Sequence, residues 1–180
     1  MKKLLVRSAL AVLLGCFIAV SLPAQENPWI PRVSVSLSAG FAGYLPFSCA
    51  CVDRTQWGVR GGVTAMWLDL VGLDAEYGYG GIVYGFSGCA SRHDLMMGIR
   101  LEPFHSMTGW WTGTFFRLGG GLSLIESTRD PVFWNAIFSP GIALAPSQAF
   151  SLTFELPVSV TFGSIGHLTF GGLAGARLRF

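Results

Sequence analysis

Phe150-Ser151-Leu152-Thr153-Phe154-Glu155-Leu156-Pro157-Val158-Ser159-Val160-Thr161-Phe162 is the stretch on which the fold turns. Its even positions are all aromatic or aliphatic, and its odd positions are Ser, Thr, Glu or Pro. A period of two puts every apolar side chain on one face of an extended strand, whereas a helix would spread them around its circumference. The next segment repeats the pattern: Leu168, Phe170, Gly172, Ala174, Ala176, Leu178 and Phe180 alternate with Thr169, Gly171, Gly175, Arg177 and Arg179. Upstream, the same alternation marks residues 33–42, 57–67, 71–80, 93–102 and 116–124. Residues 134–144 are noisier, because Ile137 falls on the polar face.

Composition says which way the faces point. The 180 residues are 51% hydrophobic and only 12% charged, with a net charge of +2 and 24 glycines. Water-soluble domains carry about a quarter charged residues, so this chain lacks the side chains to cover a wet surface. Disorder is excluded by the 13% aromatic content, and nucleic-acid binding by the lack of any basic patch. Residues 33–52, 131–154 and 156–176 contain no charge and are long enough for membrane helices, but Pro140, Pro146 and Pro157 and many Gly, Ser and Thr interrupt them.

Strands with one greasy and one polar face suit a closed barrel in lipid, where every backbone group must be paired inside the sheet. The expectation is therefore all-β: an eight-stranded antiparallel up-and-down transmembrane β-barrel. Met1-Lys2-Lys3 with Arg7, the apolar run from Ala9 to Ser21 and Leu22-Pro23-Ala24-Gln25 read as a signal peptide over residues 1–25, leaving 26–180 as the barrel. Losing Lys2, Lys3 and Arg7 takes the charge from +2 to −1. Eight strands then have about 19 residues each with their connections, enough to span and turn.

The signal peptide, the even strand number and the carboxyl-terminal Ala174-Gly175-Ala176-Arg177-Leu178-Arg179-Phe180 resemble those of the small eight-stranded bacterial outer-membrane proteins. That group includes the OmpA membrane domain, OmpX, OmpW and the opacity proteins. Thr114-Phe115-Phe116-Arg117-Leu118-Gly119-Gly120-Gly121 resembles an aromatic, glycine-rich strand of the same group. The resemblance implies outer-membrane localisation, outer-membrane lipids as surroundings, and a barrel-assembly machinery that reads Ala174, Ala176, Leu178 and Phe180. Pro140 and Pro157 depart from an ideal barrel strand, since each removes a ladder donor.

With both termini in the periplasm, residues 68–70, 103–109 and 145–148 become periplasmic turns, and 44–56, 81–92, 126–132 and 163–167 extracellular loops. Trp57, Tyr77, Tyr79, Trp134 and Phe162 then form an outer aromatic girdle, and Trp67, Trp110, Phe150 and Phe180 an inner one. Cys49, Cys51 and Cys89 fall in the first two extracellular loops and are candidates for a disulfide, Cys89 with Cys49 or Cys51. A zinc site on Cys49, Cys51 and His93 lacks a fourth ligand, so no metal is assigned.

The polar faces carry Arg60, Arg100, Arg117, Arg177 and Arg179 against Asp74, Glu76, Asp94, Glu102 and Glu155. Five positives balanced by five negatives predict an interior charge network in a lumen wide enough only for side chains or one small ligand. No catalytic residues and no cofactor are assigned, because Ser91 and His93 share the face opposite Asp94; a lipid A-modifying enzyme is the remote reading. A monomeric channel or passage for small apolar solutes, as likeness to OmpW implies, is the preferred function. Surface adhesion to a host ligand, or an envelope-structural role, is the alternative.

Overall fold

The computed structural model describes residues 30–46, 54–84, 88–104, 113–126, 132–144, 149–162 and 166–180. The strands are β1 (Arg32–Pro46), β2 (Arg54–Trp67), β3 (Val71–Tyr84), β4 (Gly88–Leu101), β5 (Thr114–Ile125), β6 (Val132–Leu144), β7 (Phe150–Glu155), β8 (Val158–Phe162) and β9 (His167–Arg179). Each pairs antiparallel with its neighbour, and β1 pairs with β9, so the sheet closes on itself. β7 and β8 both lie between β6 and β9 and form one wall strand; the barrel therefore has eight.

The register measures its shape. A circuit of directly paired residues runs Ser34, Thr64, Asp74, Gly98, Gly119, Ile137, Ser159 and Thr169, and returns to β1 at Tyr44. The return point is ten residues along β1 from the start. With strands about 4.8 Å apart and about 3.3 Å per residue, that stagger tilts the strands by about 40°.

The barrel is inside-out relative to a soluble protein. Phe41, Met97, Trp134 and Leu118 are 65% to 76% exposed on the outer wall, while Arg100, Arg117 and Arg177 are 4% exposed or less within. The seventh wall strand is interrupted at Leu156-Pro157, where a continuous strand over residues 150–162 is predicted. Pro157 offers no N–H, yet its carbonyl still accepts from Gly171 at 3.1 Å, and Pro140 accepts from Leu156 at 2.9 Å. The break inserts no residue, since Phe138↔Val158 and Gly141↔Glu155 keep one register. Ile137, on the polar face by sequence, is indeed inward and buried, filling the lumen beside the glycines Gly98 and Gly119.

At the end where β1 begins and β9 finishes, β2 turns into β3 through Leu68 and Asp69, both left-handed (φ 54° and 53°). The Leu70 N–H donates to the Trp67 carbonyl at 3.1 Å, giving the two-residue primed turn whose twist matches a hairpin. The opposite end differs from expectation: residues 44–46, 54–56, 81–84 and 88–92, placed in loops, are strand. Strands of 12 to 15 residues at this tilt rise about 30 Å or more, taller than the lipid band of about 25 Å. Ladder pairing thus continues above the level where lipid imposes alternation. Residues 1–25 and 145–148, with Cys49, Cys51 and Trp110, lie outside the described residues, as does the side chain of Cys89.

Candidate functional site

The lumen is crossed by polar side chains at three heights. Nearest the end where β1 begins and β9 finishes, Glu102, just past β4, gathers three arginines. Arg100 Nε donates to its Oε1 at 2.8 Å, and Arg177 donates to the same oxygen from Nη1 at 2.8 Å and Nη2 at 3.0 Å. Arg179 Nη2 stands 3.9 Å from Oε2. Phe115, fully buried, lies beneath them, with the Arg100 guanidinium carbon 3.5 Å and that of Arg177 5.8 Å from its ring centre. The ring's face supplies negative potential beside guanidinium groups that share one carboxylate.

At mid-height, Arg117 pairs with Glu76 and lies 3.2 Å from Glu155. Glu155 also accepts from Ser139 Oγ at 3.0 Å. Asp74 faces the lumen beside Thr64, its cross-strand partner.

Toward the loop end, a hydrogen-bonded chain runs across the lumen. Thr161 Oγ1 donates to Asn135 Oδ1 at 2.6 Å, Asn135 donates to Ser123, and Ser123 to Asp94. Arg92 Nε donates to Asp94 at 2.7 Å and its Nη1 to Gln56 Oε1 at 3.1 Å. The chain links β8, β6, β5, β4 and β2. Above it sit Ile82, Ala90, Ile125 and Phe133 as a buried apolar cluster.

All ten charged residues singled out from sequence lie on the lumen face, eight of them joined by ion pairs in these three groups, with Asp74 at mid-height beside Thr64. Arg60 faces the same space with its Nη1 buried and without a hydrogen-bond partner among the described residues. Arg92, Gln56, Ser123, Asn135, Thr161 and Phe115 were missed as a network. Arg92 and Gln56 share the parity of Asp94 and Arg60; extending each alternation one residue toward the rim would have found them. Arg92 makes the described inward arginines six against five carboxylates, where five and five were expected.

The histidine and serine weighed as chemistry lie elsewhere. His93 is on the outer wall, where its Nδ1 and the Tyr77 hydroxyl are 2.7 Å apart and its Nε2 is 3.7 Å from Glu126. Tyr79 packs on it with ring centres 5.1 Å apart. Asp94, one residue on, points into the lumen, so the barrel wall separates it from His93. His167, expected in a loop, is the first residue of β9 and fully buried.

No protein-family model matches the chain, and no curated protein matches it by sequence. Among solved structures it is similar to the crystal structure of Neisserial surface protein A (NspA), at a TM-score of 0.62 and 12% identity over 82% of this chain and 97% of that one. The Yersinia pestis outer membrane protein Ail gives a TM-score of 0.47 and 11% identity, over 82% of this chain and 99% of that one. The N-terminal β-barrel domain of Pseudomonas aeruginosa OprF gives 0.45 and 17%, over 83% and 99%. The fold is that of the small eight-stranded outer-membrane barrels.

Proposed function

We propose that the chain is an integral outer-membrane barrel, closed along its axis, that works through its lipid-facing wall and its loop-end rim. The observation that carries this reading is the clamp of Arg100, Arg177 and Arg179 on Glu102, which fills the lumen near the end of β9 with fixed charge. The loop-end chain from Thr161 to Gln56 is a second barrier, and the cavity beside Arg60, Arg92 and Asp94 is about 40 Å³. An apolar solute following the axis would have to pass ionised groups in a space of a few water molecules, which is unfavourable on both size and polarity. The lumen thus gives the expected apolar passage no support and favours the alternative, in which the barrel is a scaffold. The outer wall is apolar from Leu37 and Phe41 through Leu73, Met97, Leu118 and Phe154, which suits lipid on every side.

The test is single-channel recording in planar bilayers with the refolded barrel. We expect no steady conductance from the wild type and measurable openings after Glu102→Ala combined with Arg177→Ala. A steady wild-type conductance would overturn the closed-barrel reading.

A further inference from the structure

We infer that the outer wall at the loop end holds the headgroup of a zwitterionic phospholipid, with its ammonium group against Glu126 and its phosphate against His93. The inference rests on the lipid-facing wall proposed above and assigns one class of lipid to one place on it.

Three outward side chains form a polar column there: Tyr77 on β3, His93 on β4 and Glu126 just past β5. His93 is paired with Tyr79, two residues rimward of Tyr77, and the Glu126 N–H donates to the Ser91 carbonyl, two residues rimward of His93. At about 3.3 Å per residue and a tilt of about 40°, the column rises about 10 Å. Tyr79 stands eight residues up β3 from Val71, about 20 Å above the opposite rim, so the column crosses the top of a lipid band of about 25 Å. A hydroxyl, an imidazole and a carboxylate thus follow one another from hydrocarbon to water. A phospholipid places its ester, phosphate and ammonium groups in the same order.

Two of these groups keep capacity to bind. The Tyr77 hydroxyl and His93 Nδ1 are 2.7 Å apart, and Nε2 of the same ring faces Glu126 Oε1 at 3.7 Å. A carboxylate on that side favours the proton on Nε2, with the Tyr77 hydroxyl donating to Nδ1. At 3.7 Å the Nε2–H and the carboxylate close no hydrogen bond, which leaves the first to donate to a phosphate oxygen and the second to accept from an ammonium group. Tyr77 and Tyr79 flank the imidazole with ring centres 6.2 Å and 5.1 Å away, and Trp57 meets Tyr79 edge-on at 6.2 Å, so the direction of Nε2 is fixed by packing. Charge separates the headgroups. Glu126 is the one formal charge among the described outward side chains at this end, so it repels an anionic headgroup and complements the ammonium end of a zwitterion.

Native mass spectrometry of the barrel released from micelles containing equal amounts of phosphatidylethanolamine and phosphatidylglycerol tests this. We expect one phosphatidylethanolamine to be retained about fivefold in preference, the scale of one exposed ion pair. Glu126→Gln should abolish the preference, and Phe41→Leu, elsewhere on the outer wall, should leave it intact. In nanodiscs of the wild type, headgroup methylene protons should give nuclear Overhauser contacts to the His93 and Tyr79 rings. Equal retention of the two lipids, a preference for phosphatidylglycerol, or a preference that survives Glu126→Gln would each overturn the inference. So would a preference that Phe41→Leu removes equally. If Glu126→Gln does not fold, the wild-type contacts decide, and their absence overturns the inference. Channel recordings are read independently, so a conducting barrel would fail the closed-barrel reading and leave this one standing.

Discussion

Glu102 is the residue on which the lumen most depends, because three arginines share one carboxylate there. Removing it leaves Arg100 and Arg177 buried and uncompensated, a loss of about 3–5 kcal/mol by the rule for breaking a buried ion pair from one side. We expect urea unfolding of Glu102→Ala in vesicles to show a destabilisation of that order, and Arg179→Ala, whose side chain is 38% exposed, to cost far less. A destabilisation no larger for Glu102 than for Arg179 would contradict the clamp. Gly98 makes a second demand at this scale. Its Cβ would stand 2.7 Å from the Leu118 carbonyl and 3.0 Å from the Gly119 Cα, both backbone atoms that cannot swing away. Gly98→Ala should therefore destabilise the barrel by about 1–3 kcal/mol, and loss of heat-modifiable gel migration is the quick check.

Among the elements, the β2–β3 turn carries strain that sequence alone does not reveal. Leu68 is left-handed without the glycine or asparagine that this turn favours, a conformation that disfavours an ordinary residue by about 1–2 kcal/mol. Leu68→Asn should raise the unfolding free energy by about 1 kcal/mol, measured in the same urea series, while the Arg32–Asp69 contact at 2.6 Å stays in place. The β7–β8 junction shows the reverse, since the proline there is foreseeable and its consequence is milder than a loss of pairing. Register runs through it unchanged, and only the donor is lost. In Pro157→Ala we expect one new slowly exchanging amide at position 157, facing the Gly171 carbonyl, with no shift in neighbouring registers. A slipped register in the variant would show that the proline holds the alignment.

For the whole molecule, the decisive property is inversion: charge inside, hydrocarbon outside. Trp134, 65% exposed on the outer wall, should be quenched by lipids brominated on their acyl chains, whereas a soluble quencher should reach it poorly once the barrel is in vesicles. Equal access from water would contradict a lipid-facing wall. Sequence by itself determined the strand faces, because a period of two survives wherever lipid or a narrow lumen sorts side chains, as in residues 150–162. It also determined which charges point inward, through the parity of Arg60, Asp74, Arg117 and Arg177 with their strands. Only the closed sheet decided which of those charges meet: Arg177 reaches Glu102 across 75 residues because the stagger of ten brings β9 and the end of β4 to one height. The same closure decided where strands end, since ladder bonds persist above the lipid band after the alternating pattern has faded. It also left Arg60 beside a void, for partners depend on heights around the barrel, and no local spacing along the chain encodes them.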